Sequence, residues 1–541
     1  MQDVPVDSEE FDYVVVGAGA AGCIVAARLS EDPTVSVCLL ESGPNDRHPF
    51  LAIPGGFTRM VGNERYTWQF PTEPTPLTGG RSLRFTQGRT LGGSTSLNGM
   101  IFNRGQARDF DRWVSAGNAG WGYEDVLPFY KKLETRVKGD PAYRGKNGEL
   151  PITDTQWDCP TVDAFVEAAK ARGMRVNDDY NAATQAGIAI TQQNIAHGRR
   201  MSTSVAFLRP NRHRKNLAVR VDATVSRVLF QDRRAVGVSY VQAGASGQRV
   251  IKARREVIVS AGAINTPRLL QISGVGDPGL LGQLGAPVVQ ALPGVGQNFT
   301  DHYLMRLTAR GKGFRSINQL ARGPALWGQV ARWMFGRPSI LSISPVAMHF
   351  FAASGVGGPD DVDLQGTFTP ANYKPGSRDL DDRPGMTFAV WQHRPRSRGY
   401  VRARSRDILQ VPEVQPNYLA DEHDRKVAIA GLRLCRQFFQ TDPLRQFVED
   451  ELEPGRAIQS DAEWLGYASR NGTTAYHAMG TAKMGPATDP LSVVDNELRV
   501  HGIQGLRIVD ASIMPVMPSA NTAATTMMIG EKAAAMIKSA R

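Results

Sequence analysis

Imidazole is the side chain best suited to move a proton near neutral pH, because its ordinary pKa of about 6.5 lets it act as base and acid in turn. The chain carries nine histidines: His48, His197, His213, His302, His349, His393, His423, His477 and His501. Their number alone selects none. Cys23, Cys38, Cys159 and Cys435 are too few and too scattered for a zinc site or a disulfide scaffold. Cys23 and Cys38 lie inside apolar runs, as small core residues do. No HExxH, P-loop or GxSxG string occurs, so zinc hydrolysis, phosphoryl transfer and serine hydrolysis lack support, and no metal site is expected.

The glycines say more. Gly17-Ala18-Gly19-Ala20-Ala21-Gly22 is followed by Glu41, nineteen positions after Gly22. Glycines at Gly17, Gly19 and Gly22, with Ala20 and Ala21 between, let the backbone approach a pyrophosphate at a helix N-terminus. Glu41 would accept hydrogen bonds from a ribose 2′-hydroxyl and repel a 2′-phosphate, so an adenine dinucleotide other than NADP is expected. FAD and NAD are not separated by this string. Context makes the argument, since Gly274-Val275-Gly276-Asp277-Pro278-Gly279 also matches the string. That copy follows a helical run and carries proline at the helix start, so a turn is expected there.

Elements must position these residues. The valine-rich run 11–16 predicts a buried parallel strand, the alanine-rich stretch to Ser30 a helix, and 35–40 a second buried strand. Residues 44–105, rich in Gly, Pro and Arg, predict long ordered loops, and such loops are uncommon unless functional. A helix is expected over 109–133, with Trp113 and Trp121 as packing anchors. Alternating runs at 217–221, 225–230 and 235–240 predict a β-rich insertion that returns to a buried strand at 256–260. A helix over 267–272, a strand over 506–509 and a closing helix over 525–537 complete the outline.

Longer segments carry a family resemblance. Gly88-Arg89-Thr90-Leu91-Gly92-Gly93-Ser94-Thr95-Ser96-Leu97-Asn98-Gly99-Met100, with Arg104-Gly105 after it, is similar to the first signature of the glucose–methanol–choline (GMC) oxidoreductases. Gly262-Ala263-Ile264-Asn265-Thr266-Pro267-Arg268-Leu269-Leu270 resembles the second. Gly294-Val295-Gly296-Gln297-Asn298 with Asp301-His302, Pro416-Asn417-Tyr418, and the C-terminal stretch from Tyr476-His477 through Asp510-Ala511 to Asn521-Thr522 follow in family order. Gly198-Arg199-Arg200-Met201-Ser202 is similar to a segment of the bacterial choline, sorbose and aliphatic-alcohol dehydrogenase branch.

The resemblance implies a mixed α/β protein: a Rossmann-like FAD-binding domain and a substrate domain with an antiparallel sheet backed by helices. FAD binding would fall to 1–305, with 156–197 as a flanking insertion; 306–464 would form the substrate domain; 465–541 would return to the FAD domain with the catalytic residues. It implies alcohol oxidation to an aldehyde or ketone, with His477 as base and Asn521 as the amide orienting the alcohol oxygen. Positioned bases typically contribute about 10²–10⁴-fold. Gly92, Gly93, Ser94, Asn98 and Met100 would pass along the flavin and pyrophosphate, with Arg89, Leu91 and Gly99 in the same loop. Val225 would meet the adenine through its backbone, Ala261, Gly262, Asp510 and Ala511 would lie near the ribityl and pyrophosphate, and Thr522 would cover the pyrimidine side of the ring. Some relatives link a histidine covalently to the flavin at the position of Leu97. Leucine cannot form that bond, so non-covalent FAD is expected. His302 and His501 are assigned to structure.

Of the 541 residues, 63 are Lys or Arg and 52 are Asp or Glu, giving 63 − 52 = +11. Of the Arg209/Arg212/Arg214/Lys215 and Arg394/Arg396/Arg398/Arg402/Arg404/Arg406 clusters, the second has arginine at alternating positions without interleaved stacking aromatics, and a solvated face is expected, not nucleic acid. No run approaches 18 apolar residues, so no transmembrane segment is expected, while peripheral membrane association stays open. The acidic start (Asp3, Asp7, Glu9, Glu10) lacks the apolar centre of a signal peptide, and a cytoplasmic address is expected. The substrate would be a small-molecule alcohol: a polyol or sugar such as sorbose, or an aliphatic or aryl alcohol. The electron acceptor would be a quinone, another carrier or O₂. An O₂-using oxidase and a non-redox hydroxynitrile lyase-like enzyme are the rival readings.

Overall fold

The computed structural model describes residues 9–374 and 379–540; residues 1–8, where Asp3 and Asp7 fall, lie outside the described residues. The valine run forms the strand Glu9–Val16, the next strand is Val37–Leu40, and the helix Gly22–Leu29 joins them. The two strands pair in parallel, Tyr13 opposite Val37 and Val16 opposite Leu40. Both faces are covered, which is why the run reads as continuously apolar instead of alternating. Gln248–Val259 pairs in parallel on the other side of Glu9–Val16, and Leu506–Ile508 lies beyond it.

Several expected elements shift. Leu217–Arg220 does not belong to a β-rich insertion: it pairs in parallel with Val37–Leu40 at the edge of the same seven-stranded sheet. The insertion is the hairpin Ala223–Gln231 and Arg234–Gln242, which pairs antiparallel with the first half of Gln248–Val259. The expected helix over 109–133 is two, Ala107–Ser115 and Tyr123–Leu133, broken at Gly117 and Gly120, whose φ values of 92° and 80° no helix accommodates. Trp113 and Trp121 are fully buried between them. The 44–105 stretch carries a strand pair, Thr67–Pro71 with Arg84–Gly88.

Helix Gly262–Ile272 starts earlier than its proline suggested. Pro267 lacks the N–H that would meet the Ala263 carbonyl, and the Thr481 hydroxyl supplies the missing donor at 2.6 Å. The second glycine string forms a bridge strand and a short helix, Pro278–Gln283, rather than a simple turn. Proline is favoured at a first helical position, and the Asp277 carboxylate caps the Leu280 N–H at 2.9 Å.

A second seven-stranded sheet is antiparallel throughout. It takes Gly187–Ile190 from the 156–197 segment, Tyr303–Gly311, Met348–Ala353, Val362–Thr369, Gly385–Gln392 and Val448–Glu453, with Thr473–Thr474 paired to Tyr303–Leu304. Helix Glu422–Phe439 covers one face, and Phe165, Phe350, Phe368, Phe388 and Phe438 form an aromatic cluster between them, with centroids as close as 5.0 Å. Alternation in the second arginine cluster holds: Arg396, Arg398, Arg402, Arg404 and Arg406 are exposed. Arg394 departs from it, reaching inward to the Ser519 hydroxyl at 2.5 Å and pairing with Asp361. No helix among the described residues is long and apolar enough to cross a membrane.

The last helix, Thr522–Ser539, is buried along most of its length and crosses Gly22–Leu29 so closely that a Cβ on Gly530 would stand 3.0 Å from the Ala21 Cα. Arg28 ties the two through Glu531 at 2.8 Å. This crossing sets both helix N-termini against one cavity.

Candidate active site

A cavity of about 430 Å³ lies between the two sheets, walled largely by loops. Helices Gly22–Leu29 and Thr522–Ser539 begin at its wall without a side-chain cap, leaving first-turn N–H groups and a positive dipole end for an anion. A third helix, Gly262–Ile272, begins there too, and its Gly262 N–H is taken by the Asp510 carboxylate at 2.9 Å. Asp510 also accepts from the Thr266 hydroxyl at 2.5 Å and the Ser512 N–H at 2.8 Å. Burial pushes its carboxyl above the usual range.

The wall is thin because the backbone itself makes it. Gly17 has φ 100°, and a Cβ there would meet the Ser260 carbonyl oxygen at 2.5 Å. Gly93, at φ 51°, crosses Gly19 so that a Cβ would sit 2.8 Å from the Gly19 Cα. Gly92 N–H donates to the Ala18 carbonyl at 2.7 Å and locks the two loops together. Glu41 follows the second strand on the same wall, its carboxylate accepting from the N–H groups of Ala18 at 3.0 Å and Gly43 at 2.9 Å. Burial pushes Glu41 up to about 7, against those two donors.

Of the residues expected at a cofactor, Gly17, Gly19, Ala20, Ala21, Glu41, Gly93, Ser94, Asn98, Gly99, Val225, Ala261, Gly262, Asp510, Ala511 and Thr522 border the cavity. Gly22, Arg89, Leu91, Gly92 and Met100 stand behind that wall. A Cβ on Gly22 would fall 1.9 Å from the Gly17 carbonyl oxygen, and Leu91 is part of the main core. Arg89 lies over the Trp68 ring at 4.6 Å, and Met100 is fully buried. Glycine walls, uncapped helix starts, an acceptor at Glu41 and the unpartnered buried hydroxyl of Ser260 together fit an adenine dinucleotide.

His477 and Asn521 meet at one end of this cavity, with the His477 Nε2 and Asn521 Nδ2 3.0 Å apart. Pairing of Thr473–Thr474 with Tyr303–Leu304 brings His477 beside His302. Asp301 then holds the turn, accepting from the His477 N–H at 2.7 Å, the Thr474 hydroxyl at 2.6 Å and the Tyr418 hydroxyl. Burial pushes Asp301 up to about 6. Tyr476, at φ 64°, makes the reversal that aims the imidazole.

His302, assigned to structure from the sequence, stands at the centre of the proton arrangement. Its Nε2 is 2.7 Å from the His393 carbonyl oxygen, and its Nδ1 is 2.9 Å from the His477 Nδ1. A carbonyl only accepts, so the His302 Nε2 carries the hydrogen. Burial holds His302 down at about 4, so its ring is neutral and its Nδ1 bears a lone pair. The His477 Nδ1 must then donate. Burial, with His302 as a second cause, holds His477 well below its ordinary value, so this ring is neutral too and its Nε2 is the bare nitrogen. The contact chain thus selects one tautomer of His477 and points its basic atom at the Asn521 amide.

Asn521 precedes the last helix and is oriented from behind: Gln365 Nε2 donates to its Oδ1 at 3.2 Å, which turns its N–H toward His477. Gln365 also approaches the His349 Nδ1 at 3.3 Å, and Asn103 donates to the Gln365 Oε1 at 3.3 Å. Trp391 borders the cavity with its ring centroid 6.1 Å from that of His477. Sequence reasoning named none of Asp301, Gln365 or Trp391 as site residues. The only visible signal was the Asp301-His302 pair next to a glycine-rich turn. His501 lies elsewhere, with its Nε2 3.0 Å from the Gly485 carbonyl.

Comparison with known proteins identifies the family. The N-terminal and C-terminal GMC oxidoreductase profiles match residues 11–304 and 395–530. An alcohol dehydrogenase [acceptor] of Pseudomonas putida is 38% identical over 532 residues, covering 97% of this chain and 95% of that protein. The mitochondrial choline dehydrogenase of Homo sapiens is 38% identical over 540 residues, covering 98% and 90%. Among solved structures, pyridoxine 4-oxidase from Mesorbium loti superposes with a TM-score of 0.88 at 28% identity, over 98% of this chain and 99% of that one. Formate oxidase from Aspergillus oryzae RIB40 reaches 0.91 at 26% identity, over 99% of both chains.

Proposed function

The chain belongs to the GMC oxidoreductases, FAD-dependent enzymes acting on CH–OH donors, and on that premise we propose that His477, as base, and Asn521, as the orienting amide, serve the FAD-dependent oxidation of an apolar alcohol to its aldehyde or ketone. FAD, when bound, supplies the acceptor for the hydrogen that leaves carbon as hydride. Gly17, Gly19 and Glu41 would hold its adenosine half, and Gly93, Ser94, Asn98, Asp510 and Thr522 its flavin half. In this reading, residues 1–305 and 465–541 serve the cofactor, and 306–464, with the flanking 156–197 segment, serves the substrate.

The observation that carries the reading is the bare Nε2 of His477 with an amide N–H beside it. An alcohol hydroxyl entering between them would donate its proton to His477 and accept from Asn521. Asn521 is neutral, so the proton resides on His477 alone. Exclusion of water by the buried wall strengthens both contacts.

The wall also bears on the substrate. Its carboxylates are Glu41 and Asp510, and both are already engaged by backbone donors. The remaining surface includes Leu97, Ile101, Val346 and Trp391. Among the described residues no free carboxylate is set there for a quaternary ammonium, which favours a neutral aliphatic or aryl alcohol over choline. The relative named for an unspecified acceptor supports electron delivery to a carrier other than NAD, and a cytoplasmic address belongs to the same reading. Structural neighbours named as oxidases support O₂ as the alternative acceptor.

Anaerobic mixing with a panel of alcohols tests this. Aliphatic or aryl alcohols should bleach the flavin, and His477→Ala should slow bleaching at least about 10²-fold while keeping the flavin bound. Unchanged bleaching in that variant would show that another group is the base.

A further inference from the structure

The helix Gly323–Met334 stands apart from every other helix of comparable length. Tyr123–Leu133, Pro160–Ala171 and Asp461–Asn471 each bury an apolar stripe, whereas this one buries no residue. Yet its sequence is apolar almost all round. Leu326, Val330 and Trp333, at helical spacing, form the half-buried face, and the Trp333 Nε1 donates to the Gly198 carbonyl at 2.8 Å. The opposite face presents Trp327, Ala331 and Met334, with Phe335 following. Trp327 is 74% exposed, Met334 71% and Phe335 81%. Water against three large apolar side chains on one stripe is unfavourable, and such a face marks a surface made for something else.

Charge says what. The sequence from His302 to Pro359 contains no Asp or Glu. Arg322 is occupied by Asp382, but Arg332 and Arg337 lie at the end of the helix and just beyond it, and Arg199 sits over the Trp333 ring at 5.3 Å. The helix is about 18 Å long. One such face is small beside the roughly 800 Å² per partner that a stable protein interface buries. Two copies meeting on it would also bring arginines against arginines. Apolar residues with aromatic side chains on one stripe, and the arginines Arg332 and Arg337 at the helix end in a segment without acidic residues, fit the boundary of an anionic bilayer.

We propose that Gly323–Met334 and Phe335 form a docking face for an anionic phospholipid surface, with Trp327, Met334 and Phe335 entering the headgroup–acyl boundary and Arg332 and Arg337 meeting lipid phosphate. Beyond the helix the chain passes Leu341, whose carbonyl accepts from the Gly55 N–H at 3.2 Å, and reaches Pro345 and Val346 on the cavity wall. Docking there would anchor to a lipid surface the segment that runs on to this part of the cavity wall. The docking itself requires no turnover, so it stands or falls separately from the redox reading.

Sedimentation of the flavin-loaded protein with vesicles of phosphatidylglycerol and phosphatidylethanolamine, against vesicles of pure phosphatidylcholine, tests the proposal. Binding to the anionic vesicles is expected, weakening as salt rises. Trp327→Ser/Met334→Ser/Phe335→Ser should lower the partition coefficient at least about tenfold. Arg332→Glu/Arg337→Glu, which keeps the apolar face, should lower it by at least about tenfold through charge alone. Both variants should retain flavin absorbance and alcohol-driven bleaching in solution. Wild-type protein that stays in the supernatant at low salt overturns the proposal, as do two flavin-loaded variants that bind like wild type. Sedimentation velocity showing a dimer that the triple variant abolishes, with no vesicle binding, would assign the face to a second copy and overturn it equally.

Discussion

His302→Phe is the sharpest test of the tautomer argument. The substitution keeps a planar ring in a site of zero exposure but removes both nitrogens. Two contacts go: the 2.9 Å contact that takes the His477 Nδ1 hydrogen, and the 2.7 Å bond to the His393 carbonyl. His477 is left with a buried N–H lacking an acceptor, worth about 1–3 kcal/mol against that tautomer. The ring can escape by moving its hydrogen to Nε2, which blocks the base. At about 1.4 kcal/mol per tenfold, flavin reduction should therefore slow about 10- to 100-fold, less than in His477→Ala. Stopped-flow reduction under anaerobic conditions measures the rate constant and the substrate dissociation constant separately. The expected loss lies in the rate constant, since His302 does not border the cavity. His302→Asn, whose carbonyl oxygen can accept from Nδ1, should recover part of it. A His302→Phe enzyme reducing its flavin at the wild-type rate would refute the tautomer argument, and so would a loss confined to substrate affinity.

Three further outcomes follow from the site. The His477 pKa is depressed in the folded protein, so the base is deprotonated and active above that value, and reduction should fall only as pH drops below 6.5; an inflection at or above 6.5 would contradict this. Gly22→Ala would place a Cβ 1.9 Å from the Gly17 carbonyl oxygen, where only backbone can yield, and should cost about 1–3 kcal/mol or more and lower flavin content on purification. With Leu97 at the cavity wall in place of a nucleophilic side chain, acid-denatured protein should release its flavin into the supernatant, and flavin pelleting with the protein would show a covalent link.

What the sequence determined by itself was whatever depends on near neighbours in the chain. The Val14 to Val16 run, Gly17 and Glu41 announce a strand, a close turn and a second strand because burial on both faces and backbone approach are written in residue type. Helix starts were less legible, since Pro267 continues a helix through a partner far away, the Thr481 hydroxyl on the Ala263 carbonyl. The tertiary structure alone decided the proton arrangement. His302 and His477 are 175 positions apart, and Gln365 and Asn521 are 156 apart. Nothing in their local sequence states that an antiparallel pairing will set one imidazole edge-on against another, or that an amide from a different sheet strand will turn Asn521. The pairing of Tyr303 with Thr474 makes His302 part of the site, and burial then decides which nitrogen is bare. Residue type supplied an imidazole; the fold chose its tautomer, because hydrogen-bond direction depends on what lies beyond each ring nitrogen in space.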